Sequence, residues 1–105
     1  MKIAIIGSTS YQKKMKNWKW TLEQEGHTVK MPTFDSHDKN ELEICFENKN
    51  NIEWAEQIHI MWDRRSTGTI FDFGMCFMAE KPVKIIYINP KSFENLFKAY
   101  EEFIQ

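Results

Sequence analysis

The sequence predicts an α/β fold built on a parallel sheet. Three observations carry that expectation. Short apolar runs alternate with longer segments of helical periodicity along the chain. The first run, up to Ile6, is continuously apolar rather than alternating, as in a strand covered on both faces. Gly7, Gly26, Pro32 and Pro82 fall between the segments, where turns belong.

Lys2 to Ile6 reads as the first strand and ends at Gly7. Ser8, Thr9 and Ser10 can cap the helix that follows. In that helix Tyr11, Met15, Trp18 and Leu22 recur at helical spacing, with lysines between them. Gly26 stops it. His27 to Met31 is the second strand, closed by Pro32, and 33–38 is loop. Asn40 to about Phe46 is expected to be helical. Asn48 to Asn51 interrupt it, and Ile52 to about Glu56 form a separate short helix leading into a third strand, Gln57 to Trp62. Asp63 to Gly68 is a polar loop. Thr69 to about Glu80 is apolar nearly all round, which predicts a buried helix. Lys81-Pro82 breaks it. Val83 to Ile88 is the fourth strand, Asn89-Pro90 a turn, and Lys91 to about Phe103 an amphipathic helix.

Strands alternating with helices imply a three-layer, Rossmann-like or flavodoxin-like domain over residues 1–105, with a four- or five-stranded parallel sheet. Such sheets bind ligands at the carboxyl ends of their strands, where the strand order reverses. Two loops belong there by position, Gly7–Ser10 and Asp63–Gly68.

Composition narrows the function. A chain of 105 residues, 42% hydrophobic, fits one domain with a core of its own. The aromatic fraction of 14% is high, so some rings are expected to serve a ligand or a neighbouring subunit. Fourteen basic residues face fifteen acidic ones, and no block of like charge suggests a nucleic acid or membrane partner. Lys13, Lys14, Lys16 and Lys19 read as the wet face of a helix. Cys45 and Cys76 lack the spacing of paired ligands or of a disulfide framework. His27 and His37 have no metal-like partner spacing. With no apolar stretch near the ~18 residues of a membrane span, the expected location is the cytoplasm.

Two segments can carry chemistry. In Gly7-Ser8-Thr9-Ser10, a glycine at a strand end lets backbone approach a ligand, and the amides after it favour an anion. The same residues also suit a plain turn with a helix cap. In Ser66-Thr67-Gly68-Thr69-Ile70-Phe71-Asp72-Phe73-Gly74, a lone carboxylate lies in an otherwise greasy helix. Burying it costs several kcal/mol unless something compensates, and a helix N-terminus returns only about 1 kcal/mol of that. The residue types fit either a core-satisfied aspartate or a carboxylate aimed at a sugar hydroxyl or an anomeric carbon. Among the remaining residues, His59 reads as a satisfied core histidine and Cys76 as packing. Trp18, Trp20, Trp54 and Trp62 read mostly as core rings, with Trp62 placed for base stacking. Arg64 and Arg65 read as solvated, with a phosphate clamp as the other reading.

The pattern Ser66-x-Gly68-x-x-x-Asp72-x-Gly74, followed by Lys81-Pro82-Val83, resembles the nucleoside 2-deoxyribosyltransferase superfamily, which includes the 2′-deoxynucleoside 5′-monophosphate N-glycosidases. The likeness extends to the Gly7-Ser8 turn and to Ile52–Ile60. It implies that Asp72 is the nucleophile that expels the base and forms a glycosyl-enzyme. Ser66 falls where monophosphate-specific members carry a phosphate-contacting serine. Gly7, Ser8 and Thr9 match the turn against the sugar or its 5′ end, and Tyr11 can reach the same pocket, with Trp62 and Gly68 beside it. Two departures stand out. Asp72 replaces the family's glutamate, one methylene longer. Where the family has an aspartate before the third strand, this chain offers Asn48, Asn50 or Asn51, of which Asn51 is the expected contact. The resemblance thus implies an N-glycosidase or deoxyribosyltransferase acting on a nucleoside 5′-monophosphate. The alternative is a non-catalytic nucleotide-binding protein using the same pocket. The resemblance also implies a homodimer or higher homo-oligomer, with no metal or organic cofactor.

Overall fold

The computed structural model describes residues 1–34, 38–89 and 92–105. Part of the expected loop over 33–38, with His37, lies outside the described residues, as do Pro90 of the expected turn and Lys91 at the expected helix start. The elements run β1 (Lys2–Ile6), a 3₁₀ turn (Thr9–Tyr11), α1 (Gln12–Gln24), β2 (Thr28–Lys30), α2 (Glu41–Trp54), β3 (Gln57–Trp62), α3 (Thr67–Met78), β4 (Val83–Tyr87) and α4 (Phe93–Ile104). The four strands form one sheet in the order β2-β1-β3-β4, and every pairing is parallel. This is the expected Rossmann-like layering. The order reverses between β1 and β3.

Strand alternation divides the core into two layers. Ile3 and Ile5 meet Met15 and Leu22 of α1 on one face. Ala4 and Ile6 meet Ile52 of α2 and Cys76 of α3 on the other. Gly26 ends α1 in the left-handed region, at φ +93°, where a side chain is strained. His59 is buried on the α1 face of β3. Its Nδ1 accepts from Trp18 Nε1 at 2.9 Å, which leaves Nε2 to donate to Gln57 Oε1 at 3.1 Å. Burial, Lys84 and His27 all lower its pKa, so the neutral ring is favoured. It is the satisfied core histidine that its strand context predicts.

Three expectations fail. The asparagines at 48–51 do not interrupt a helix, because α2 runs unbroken from its Asn40 cap to Trp54. Asn48 and Asn51 are turned to the loop after β2 instead. Asn48 Oδ1 accepts from the Thr33 N–H at 2.8 Å, and Asn51 Nδ2 donates to the Met31 carbonyl at 3.1 Å. These bonds outweigh the small helix propensity deficit of asparagine. Secondly, α3 is not buried all round. Thr69, Asp72 and Cys76 face inward, while Ile70, Phe71, Phe73, Phe77 and Met78 remain exposed. One chain supplies cover for a single side of this helix. Thirdly, Trp20 is exposed rather than core, whereas Trp18, Trp54 and Trp62 are half-buried.

Candidate active site

A cleft of about 320 Å³ opens at the carboxyl ends of β1 and β3, where the strand order reverses. One wall is the turn Gly7, Ser8 and Thr9. The opposite wall is the start of α3, with Ser66, Thr67, Gly68, Thr69 and Asp72. The remaining side is Pro32, Thr33 and Phe34 after β2, together with Ile44 and Asn48 of α2.

Asp72 is 9% exposed. It sits in the second turn of α3 because Thr69, Asp72 and Cys76 share the inward stripe of that helix. Burial pushes its carboxyl up to about 6, and no cation or hydrogen bond contributes to the shift. The carboxylate therefore lines the cleft without compensation from the described residues. Four positions later, burial and the Asp72 charge raise the Cys76 thiol to about 11, so it is a protonated packing group. Thr69 Oγ1 is a second buried polar atom at this wall, and it has no hydrogen-bond partner among the described residues.

The loop between β3 and α3 is organised by Asp63, which is 5% exposed. Its Oδ1 accepts from the N–H groups of Arg65 (3.0 Å) and Ser66 (2.9 Å). Its Oδ2 accepts from Ser66 Oγ (2.8 Å) and Tyr11 Oη (2.9 Å). Burial alone would raise the Asp63 carboxyl, but the bonds from Ser66, Arg65 and Tyr11 outweigh it and hold the group well below the usual carboxylate range. Burial, then the bond to Asp63, raises the Tyr11 phenol in turn. The Ile70 N–H already bonds to the Ser66 carbonyl. The amides of Thr67, Gly68 and Thr69 have no partner in the helix and give α3 an anion-favouring N-terminus at the cleft wall.

Of the residues singled out from sequence, Gly7, Ser8, Thr9, Ser66, Gly68 and Asp72 come together in the cleft. Tyr11, Asn51 and Trp62 do not line it. Tyr11 is held by Asp63, and Asn51 lies under the loop after β2. Trp62 lines a separate apolar groove with Phe73 and Tyr87. The Ser66 hydroxyl proton is committed to Asp63, so the donors left at this end are the backbone amides of the helix start and the Thr69 hydroxyl. Gly7 has a packing reason of its own: a Cβ there would stand 2.9 Å from Met15 Sδ and 3.3 Å from Met61 Cβ. At Gly68 a Cβ would meet nothing within 4 Å. Arg65 is exposed, while Arg64, at φ +69°, lies over the Tyr87 ring and donates to Asn89.

Sequence reasoning did not single out Asp63, Phe34 or Ile44. An aspartate followed by two amides that can fold back on it is a local signal that would have found Asp63. Phe34 and Ile44 carry no such signal, since their place depends on how the loop after β2 meets α2. Among the described residues no group of His, Cys, Asp and Glu could hold a metal ion, and no helix is long and apolar enough to cross a membrane.

No family model matches the sequence, and no curated protein matches it either. Among solved structures, the chain is similar to the Clostridium botulinum CMP N-glycosidase BcmB. The TM-score is 0.60 at 12% identity, covering 96% of this chain and 98% of that one. At that identity the likeness is one of fold alone, over almost the whole of both chains.

Proposed function

We propose that this chain cleaves the base–sugar bond of a (deoxy)nucleoside 5′-monophosphate, with Asp72 as the nucleophile. The observation that carries the reading is an uncompensated, mostly buried carboxylate on a cleft wall, beside an unpartnered Thr69 hydroxyl and the helix N-terminus. A core aspartate would be hydrogen-bonded. This one is desolvated, as a nucleophile is before it attacks. The resemblance of Ser66-x-Gly68-x-x-x-Asp72-x-Gly74 to the deoxyribosyltransferase superfamily and the fold of a CMP N-glycosidase both support it.

In this reading the monophosphate lies against the Thr67 and Gly68 amides, opposite Ser8 and Thr9. Ser66 acts with Asp63 to fix those amides rather than as a phosphate donor. Phe34 and Ile44 offer the apolar surface for a base. Asp72 attacks the anomeric carbon, the C–N bond electrons leave with the base, and the sugar remains as an ester on Asp72. Water, or a second base, then displaces the carboxylate and frees the enzyme.

Two residues favour a second reading, a nucleotide-binding protein without turnover. Asp72 is one methylene shorter than the family's glutamate, and ~1 Å of misplacement can cost on the order of a hundredfold in rate. Asn48, which lines the cleft, can hydrogen-bond but cannot act as a base. Incubation with a panel of nucleoside 5′-monophosphates, with free base followed by chromatography, separates the two. Base release lost in Asp72→Ala supports the enzyme. An intact nucleotide recovered from the protein, with no base from any substrate, supports the binder.

A further inference from the structure

Thr69 holds a polar group that the fold does not use. It is 3% exposed, and its Oγ1 has no hydrogen-bond partner among the described residues. A buried hydroxyl left unpaired costs about 1–3 kcal/mol, and a valine would fill the same space without that cost. Position 69 is also one of the free positions in Ser66-x-Gly68-x-x-x-Asp72-x-Gly74, so the resemblance assigns it nothing. One turn further along the same inward stripe, Asp72 is buried with neither a hydrogen bond nor a cation among the described residues. Residues three apart on a helix are neighbours, with Cβ atoms about 5–6 Å apart, and both of these line the cleft.

The two groups ask for opposite things. The Asp72 carboxylate needs a donor, and the Thr69 hydroxyl proton needs an acceptor. A phosphate oxygen is repelled by the first, and an ammonium group gives the second nothing to donate to. An alcohol oxygen serves both at once, because it donates and accepts. Threonine populates two χ1 wells in a helix, so Oγ1 can turn to the cleft without any change in backbone. The spacing puts that alcohol on a sugar. At a rise of 1.5 Å per residue, Asp72 lies about 6–7 Å beyond the Thr67 and Gly68 amides along the axis of α3. That is comparable with the reach of a furanose 5′-phosphate from phosphorus to anomeric carbon. Thr69 stands between the two ends, beside the ring.

We infer that the ligand is a ribonucleoside 5′-monophosphate and that Thr69 is the residue that selects its 2′-hydroxyl. This rests on the reading of the cleft as a nucleotide site with Asp72 at the anomeric carbon. The 2′-carbon is bonded to that carbon, so a carboxylate with one oxygen aimed at C1′ carries its other oxygen beside O2′. The 2′-hydroxyl donates to that second oxygen of Asp72 and accepts from Thr69 Oγ1, and one atom satisfies both buried groups. No other sugar hydroxyl adjoins the reacting carbon. A 2′-deoxy sugar leaves both groups unpaired, and a site built to hydrogen-bond a substrate hydroxyl rejects the analogue that lacks it. Hydrogen bonds to this hydroxyl strengthen in the transition state, so the preference falls on kcat as well as on KM.

The test compares the common ribonucleoside 5′-monophosphates with their 2′-deoxy counterparts in the wild type, Thr69→Val and Thr69→Ser, following release of base. The wild type should favour the ribonucleotide in kcat/KM by about a hundredfold, and Thr69→Val should bring that ratio down to about tenfold. Thr69→Ser, which keeps the hydroxyl, should keep the ratio. If the protein binds without turnover, the same ratios are read in Kd. Thr69→Val should unfold at a temperature no lower than the wild type, which separates lost selection from lost fold. A lower Tm would show that the hydroxyl serves the fold, and would overturn the inference. So would a wild type that takes the deoxynucleotide equally well, or a ratio that Thr69→Val leaves intact, although base release would then still support the role of Asp72. A protein that neither cleaves nor binds any of these nucleotides would overturn the nucleotide reading itself.

Discussion

In the proposed reading, Asp72 sets function against stability at a single residue. Its carboxyl is raised to about 6 by burial, above the roughly 3.9 of an unfolded chain. Between those values the folded state holds more protons than the unfolded one, so this group makes stability fall as pH rises from about 4 to about 6 and then level off. Asp72→Asn removes the charge and keeps the shape. It should raise stability at pH 7.5 by about 1–2 kcal/mol, less than the full shift because a buried amide also lacks partners. The gain should vanish near pH 4, read as the urea midpoint against pH. Activity should move the other way, with kcat/KM in the wild type rising through pH 6 as the nucleophile ionises.

Asp63 has the opposite sign. Held below the usual carboxylate range, it contributes stability that is present above about pH 4 and is lost as pH falls toward its folded value. Asp63→Ala strands the Arg65 and Ser66 amides and the Tyr11 and Ser66 hydroxyls. It should cost about 2–3 kcal/mol in urea unfolding. Because those amides set the start of α3, it should also raise KM for a monophosphate more than for the corresponding nucleoside.

Among the elements, the parallel strands were legible because a run such as Ile3–Ile6 has no other stable place than a covered sheet. The two cleft loops followed from strand order, and Asp72 from the cost of a charge among Ile70, Phe71 and Phe73. The continuity of α2 was not legible. Asparagine reads as a breaker, and only the meeting of Asn48 with Thr33 turns it into a tertiary contact. The exposure of α3 was hidden for a different reason, since an apolar helix looks the same in sequence whether its own chain or another covers it. Glycines separate by the same logic. Gly7→Ala should destabilise the fold by about 1–3 kcal/mol through overpacking against Met15 and Met61, whereas Gly74→Ala should leave the fold as stable or stabilise it by up to about 1 kcal/mol, since a Cβ there meets nothing. Thermal unfolding of the two variants checks both.

For the whole molecule, a sheet with two covered faces holds the cleft at its carboxyl end, while the outer surfaces of α3, β4 and α4 remain open in the single chain. The helix α3 joins the two, since its inner stripe carries Asp72 and its outer side is the exposed apolar one. The most direct trial of the proposed chemistry is to quench the protein with acid during incubation with a nucleoside 5′-monophosphate and map its peptides by mass. A sugar-phosphate ester on Asp72, absent from Asp72→Asn together with base release, is the expected result. Base release that continues in Asp72→Asn, with no ester at position 72 in the wild type, would contradict it.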